Sequence, residues 1–463
     1  MKRFILLLSI LMGFSASSGF AADEVYEEAA VDLLGRMVSI RSIMGSGKTL
    51  EVAELLRGDF LDAGFSDSDI NIIPMQDETY SLVVRYRGDG TGGKPILFMG
   101  HIDVVDALQS DWENDPFTMI EKDGYLLGRG VSDNKAGVAL ISTTFIRLKK
   151  EGFVPTRDMI ISFTGDEEDE MKNVDLLVAE YRHLIDAEFA LNTDGSGGQL
   201  DTDGEPLVFP IDAMEKTEVN YNITFRNEGG HSSMPQKDNA IYDIVTAIER
   251  IKAHRFPVRF NELNRDYFRE VAKMRGGEIG EAMTHYADNP GDEPIDELLY
   301  DQPELAKLIS TTCIPTTLNA GHGLSALPQS ASVNMNCRIY PAVPIESVTS
   351  KLIELIDNDG LEIRILGNPK TGPEINMSQE MLAKFKKVVD VVYPGTPIIP
   401  QISAGATDGK ATRMAGIPTY AASGVFGNLE GNFAHGLNER IIKKSFIRAL
   451  DYWYEIIEEF AGQ

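Results

Sequence analysis

The sequence predicts an α/β chain in two units, a central sheet covered by helices and, set into it, a smaller α+β unit. Three observations predict this. From about residue 25 to 212, helical and apolar strand-like segments alternate, the texture of a layered α/β fold. Residues 215–227, EKTEVNYNITFRN, then alternate polar and apolar, as a half-buried strand does. After about residue 370 the α/β texture returns. The expected division is therefore an outer unit made of 22–212 and 371–463, with residues 213–370 inserted.

Taken in order, Lys2 and Arg3 precede an apolar run from Phe4 to Phe14 and small residues ending at Ala21. These are the three parts of a cleaved secretory signal, residues 1–21. The run is short of the roughly 20 residues that span a bilayer, so a soluble mature chain, exported to the periplasm or secreted, is expected. Helices follow near 25–40 and 48–64, then strands at 80–87 and 95–100. KAGVALISTTFIRLKKEG has helical periodicity and ends on Gly152, and further strands are read at 158–164 and 188–192. The inserted unit reads as a strand to 227, a helix at 239–253, strands near 311–319 and 331–340, a helix at 345–357 and a strand at 361–366. This is βαββαβ, a ferredoxin-like split unit. Inside it, about 257–310 is acidic and mostly helical in texture. A strand at 417–422 and a long helix at 441–460 close the chain.

The 463 residues carry 71 Asp and Glu against 43 Lys and Arg, a net charge of −28. Such a surface repels phosphate backbones and anionic lipid heads, which excludes nucleic acid and membrane as natural partners. Cys313 and Cys337 both sit in strand-like runs. An oxidising compartment permits a disulfide, but the sequence leaves a bridge and two buried thiols equally open.

Candidate chemistry collects at strand ends, where open α/β sheets build their sites. PILFMG runs into His101-Ile102-Asp103. GRGVSDNKAG presents Asp133 just before a helix, where a capping role is the simpler alternative. MIISF leads into Thr164-Gly165-Asp166-Glu167-Glu168-Asp169-Glu170, an acidic run that repels itself unless it is solvated or neutralised by cations. AEFALN delivers Asp194, and FAHGLNERI offers His435 beside Glu439. Imidazole and carboxylate from separate segments form the donor set zinc accepts.

The segments GHIDVV, GRGVSDNKAG, TGDEEDE, NTDG, GGHSSMP, LPQSASVNMNCRIYP, GATDGKATR and AHGLNERI resemble, in order and approximate spacing, the dinuclear zinc peptidase family that includes glutamate carboxypeptidase, aminoacylase, acetylornithine deacetylase and succinyl-diaminopimelate desuccinylase. The resemblance spans nearly the whole mature chain. It implies a mostly parallel central sheet with helices on both faces, as in zinc exopeptidases, and an inserted lid or dimerisation domain. It also implies two Zn2+ per chain, replaceable by Co2+ or Mn2+. One zinc would take His101, Asp194 and bridging Asp133, and the other Asp133, Glu168 and His435. Asp103 would hold the His101 ring, and Glu167 would be the general base toward a metal-bridging water. His231 would stabilise the oxyanion, often from a partner subunit. Arg338 would hold a substrate carboxylate, a surface salt bridge being its alternative. Ser325, where relatives often carry Asn, and Lys410, where many carry Arg, with Arg413 a turn further on, would lie on the substrate side.

The expected activity is an exported metallopeptidase, a carboxypeptidase or dipeptidase acting on short peptides. An N-acyl amino acid amidohydrolase is the alternative within the same chemistry. An inactive peptide- or metal-binding protein is the alternative of another class, and it would require a lost ligand or base. A homodimer through the inserted unit is left open.

Overall fold

The computed structural model describes residues 24–428, 430–431 and 433–462. The expected signal, residues 1–21, lies outside them. No helix among the described residues is long and apolar enough to cross a membrane.

The chain opens with helices α1 (Glu24–Val38) and α2 (Thr49–Asp62), followed by strands β1 (Ile70–Pro74), β2 (Tyr80–Tyr86) and β3 (Ile96–His101). Helix α3 (Lys135–Glu151), strand β4 (Met159–Thr164), strand β5 (Phe189–Asn192) and the ten-residue strand β6 (Pro206–Glu215) complete the first half. Both β3 and β4 are buried at every position, as expected of central strands with helices on both faces. The parallel pairs β3–β4 and β3–β5 form the middle of a ten-stranded mixed sheet, and β1 and β2 add antiparallel at one edge.

The inserted unit begins at β7 (Thr217–Arg226), one residue after β6, and continues with helix α4 (Ala240–Ala253). Four helices then interrupt it: α5 (Glu262–Arg275), α6 (Gly277–Asp288), α7 (Glu293–Tyr300) and α8 (Pro303–Ile309). Strands β8 (Thr312–Ala320) and β9 (Ser330–Ile339), helix α9 (Ile345–Ile356) and strand β10 (Glu362–Leu366) close it. The sheet order is β8-β9-β7-β10, antiparallel throughout. Every second residue of β9 is buried, and these meet one apolar face each from α4 and α9, including Ile244, Ile251, Val348 and Leu352. The four inserted helices have their own core around Phe268, Met283, Tyr286 and Leu308. Cys313 and Cys337 stand directly opposite in the β8–β9 register and are joined by a disulfide, which decides between the two readings the sequence left open.

The chain returns through α10 (Gln379–Val392), β11 (Ile398–Ser403), α11 (Gly409–Met414) and β12 (Thr419–Ala421) to the final helix α12 (Lys443–Ala461). Strand β12 pairs parallel with β5, and β11 pairs parallel with β6. Helix α12 buries Phe446, Leu450, Trp453, Ile457 and Phe460 in the main core.

Candidate active site

The candidate side chains converge where β3, β4 and β5 end. His101 is the last residue of β3 and fully buried. Its Nδ1 lies 3.2 Å from the carbonyl oxygen of Asp103 and 3.4 Å from its carboxylate. Donation from Nδ1 leaves the Nε2 lone pair free for a metal. Nε2 points at Asp133 Oδ1, 3.0 Å away.

Close approach of the loops depends on small residues. Gly137, in the first turn of α3, packs so tightly on the chain after β5 that an added Cβ would lie 2.3 Å from Thr193 Oγ1. Thr193 in turn donates to Asn134 Oδ1 at 2.9 Å. The loop after β3 is thus tied to the loop that carries Asp194.

Asp133 is shared. Its Oδ2 lies 3.2 Å from His435 Nε2, and His435 Nε2 lies 2.8 Å from Glu168 Oε2. Two groups of ligand atoms therefore form, His101–Asp133–Asp194 and Asp133–Glu168–His435, each within 4.8 Å. Glu168 Oε1 is buried without a hydrogen-bond partner, an orphaned acceptor that a cation would satisfy. The two groups together fit a pair of divalent metals, with Asp133 between them.

Charge around the site is lopsided toward carboxylates. Burial, then the neighbouring Asp194, pushes the Glu167 carboxyl well up. Burial lifts Asp194 well up as well, and raises Asp166 to about 7 and Asp408 to about 8. Burial opposes ionisation of Asp133, but the His101 and His435 rings outweigh it and hold its carboxyl below the usual range. Hydrogen bonds donated to Asp133 and Glu168 raise His435 to about 10. Bound divalent cations would balance such a crowd of buried acids.

Asp103 has a wider task than holding the His101 ring. Its carboxylate accepts from the backbone N–H of Glu167 at 3.2 Å and of Glu168 at 3.0 Å, so it also fixes the acidic loop. Glu167 is 7% exposed, and its Oε2 lies 3.9 Å from His101 Nε2.

Sequence reasoning gave Glu439 no role and missed Asp408. Glu439, fully buried, accepts from the N–H groups of Gly130 (3.1 Å), Ser132 (2.7 Å) and Asp133 (3.1 Å) and from Arg129 Nη1 (2.6 Å). It locks the Asp133 loop to the His435 loop. Asp408 accepts from Thr164 Oγ1 behind the acidic loop. Both stand in motifs already singled out, GATDGK and AHGLNERI, and an acid inside a Gly-rich motif was the available signal.

The residues expected on the substrate side scatter. His231 and Ser325 are exposed and adjacent: His231 pairs with Ala326 in a two-strand bridge, and Ser232 N–H donates to the Ser325 carbonyl at 3.1 Å. Neither is among the ligand groups. Arg338 lies opposite Glu218 in the β7–β9 register and bonds it at 3.1 Å, the salt-bridge alternative. Lys410 is half-buried with its stem beside Gly372, at the return from the inserted unit. Arg413 is a correction. Its guanidinium is buried, bonded to Glu215 Oε1 at 2.7 Å and to the Thr419 carbonyl at 2.8 Å, because α11 lays that face against β12 rather than toward the site.

With this geometry in place, the likenesses to known proteins are consistent with it. The chain is 26% identical over 389 residues to the N-fatty-acyl-amino acid synthase/hydrolase PM20D1 of Xenopus tropicalis, covering 82% of this chain and 75% of that one. It is 26% identical over 397 residues to a probable carboxypeptidase S-like 2 of Dictyostelium discoideum, covering 82% and 74%. In fold it resembles the M20 family metallo-carboxypeptidase Sso-CP2 from Sulfolobus solfataricus, with a TM-score of 0.70, 19% identity, and coverage of 93% of this chain and 99% of that one. The model of peptidase family M20/M25/M40 matches residues 97–459, and the chain belongs to that family.

Proposed function

We propose that this protein hydrolyses the amide bond of N-acyl amino acids, with Glu167 as general base and two zinc ions held by His101, Asp133, Glu168, Asp194 and His435. As a member of its family the chain is a hydrolase of the metallopeptidase and amidohydrolase class. The observation that carries the reading is the sharing of Asp133 between two ligand groups, with Glu167 buried beside them. When bound, the metals polarise the scissile carbonyl and lower the pKa of the attacking water. Cobalt and manganese suit the same donors.

The chain's own residues supply the rest. The raised Glu167 carboxyl is suited to take a proton from water and return it to the leaving amine. Asp103 sets its position through the two backbone bonds. In this reading His231 and Ser325, exposed on the inserted unit, serve a partner's site in a homodimer. Arg338 and Lys410 are the cations available for a substrate carboxylate, Arg338 by exchanging Glu218 for it.

Five of the relatives are N-fatty-acyl-amino acid synthase/hydrolases, which favours the acylated substrate. Short peptides are the second reading, favoured by the carboxypeptidase-like relative and the dipeptidase fold neighbours. Export is part of the proposal; the N-terminal sequence and the Cys313–Cys337 disulfide support it.

The test combines metal stoichiometry with amine release from N-acyl amino acids, dipeptides and longer peptides. Wild type should bind two metals. Glu167→Gln should keep both and lose at least roughly 100-fold in kcat. Unchanged turnover in that variant overturns the assignment of Glu167, and activity on peptides alone overturns the acyl reading.

A further inference from the structure

Helix α5 of the four-helix insertion presents apolar side chains on two adjacent faces, and the second, whose Tyr267 and Val271 rest partly on the insertion's own core, also meets open space. A helix packed on one partner needs one apolar stripe. On α5 that stripe is Phe268 and Ala272, buried within the insertion. A second one, Tyr267, Val271 and Met274, follows the spacing i, i+4, i+7 on the adjacent face. Tyr267 and Val271 are half-buried and Met274 is 41% exposed. All three line a cleft of about 1050 Å3 whose wall also contains Asp133 and Asp194, so the second stripe faces the same space as the metal ligands.

The remaining lining says what could fill that space. Leu207, Val208 and Ile399 from β6 and β11 add apolar wall. Among the described residues, Asp133 and Asp194 are the only carboxylates in the lining, and its other charged side chains are Arg275, Lys307 and Arg440. Away from the ligands the cleft carries neutral polar side chains such as Gln199 and Gln401, an apolar wall and these cations, which suits an anionic substrate with an apolar part and disfavours a cationic one. Small-molecule sites measure roughly 300–1,000 Å3. An acetyl group would leave most of this one to water.

We propose that α5 is the selecting wall of the active-site cleft: Tyr267, Val271 and Met274 receive the extended aliphatic acyl chain of an N-acyl amino acid whose amide lies at the Asp133–Asp194 end. This rests on the hydrolase reading above and adds the element that sets chain length. Burying each further methylene on this wall strengthens binding roughly fourfold.

The experiment uses the full-length, metal-loaded protein and two probes, N-acetyl- and N-dodecanoyl-amino acids, in wild type, Met274→Glu and Val271→Asp. Binding of the dodecanoyl probe is measured by calorimetry in the Glu167→Gln background, so it does not depend on turnover. Met274 is exposed enough for its variant to fold even where Val271→Asp does not. The expected result is at least tenfold weaker dodecanoyl binding and a matching rise in KM, with kcat/KM for the acetyl probe unchanged. Equal loss on both probes, or no loss on either, overturns the assignment of α5. If wild type hydrolyses neither probe yet the tenfold, α5-dependent binding persists, the hydrolase reading fails while the wall stands.

Discussion

Glu439 touches no metal-ligating side-chain atom, yet its carboxylate holds the backbone of the Asp133 loop, so Glu439→Gln is the most informative perturbation of the site. The carboxylate accepts three backbone N–H bonds and one from Arg129, all between 2.6 and 3.1 Å. A glutamine offers a single acceptor oxygen. If that oxygen keeps Ser132 and Asp133, its NH2 must face the N–H groups of Gly130 and Arg129. The Arg129 side chain is 3% exposed, and Trp112 below it, 5.2 Å from ring centroid to guanidinium, offers no carboxylate. Removing one partner of such a buried pair costs about 3–5 kcal/mol. Freed from its anchor, Asp133 should also bind metal roughly 10–100-fold more weakly, as loss of an orienting partner does. Urea unfolding of the metal-free protein reads the first effect, and chelator competition reads the second. A double-mutant cycle with Arg129→Met should return a coupling of at least about 1 kcal/mol. If the metal-free variant unfolds within about 0.5 kcal/mol of wild type, the size of surface substitutions away from such features, and its metal affinity is unchanged, the clamp is not what fixes Asp133.

Two further outcomes follow from buried charges. Arg413→Met should lower stability by about 3–5 kcal/mol, because Glu215 loses its buried partner, while KM stays within twofold in the folded fraction; a selective rise in KM with stability intact would restore Arg413 to the substrate side. Lys216, between β6 and β7, donates to the Ser310 carbonyl at 2.5 Å, and burial, then repulsion from Arg338 and Lys307, pushes it down to about 7 from an ordinary value of 10.5. In that window the unfolded chain binds one proton more than the folded one, so this lysine makes stability rise with pH from about 7 to 10.5, and its burial penalty is full below 7. Subtracting the unfolding curve of Lys216→Met should isolate that slope, and parallel curves across pH 7–10 would show that the lysine is not depressed.

Much of the architecture was legible because it rests on local periodicity. Strands β3, β4 and β5 are continuous apolar runs with an acid or histidine at the end. The polar–apolar alternation of β7 and β9 marked the inserted unit, and its βαββαβ order holds. The five candidate metal ligands were legible from local motifs: His101, Glu168 and Asp194 follow strand ends, Asp133 and His435 stand in Gly-containing loops, and the structure brings them into two groups. Strand β6 and its partner β11 were not read, because PLVFPIDAME and IIPQIS lack a clean period and carry prolines, and their pairing joins residues nearly 200 positions apart.

By itself, then, the sequence determined the layer order and the donor set, both of which follow from short segments whose pattern states their own surroundings. Only the tertiary structure decided that Cys313 and Cys337 are bonded, that Arg413 turns inward to Glu215, and that Asp103 holds the acidic loop as well as a ring. It likewise placed the α5 stripe against the cleft. The reason is physical: whether an arginine binds substrate or a buried glutamate, and whether an apolar stripe meets a core or a cavity, depends on what lies opposite it. That partner comes from a distant part of the chain.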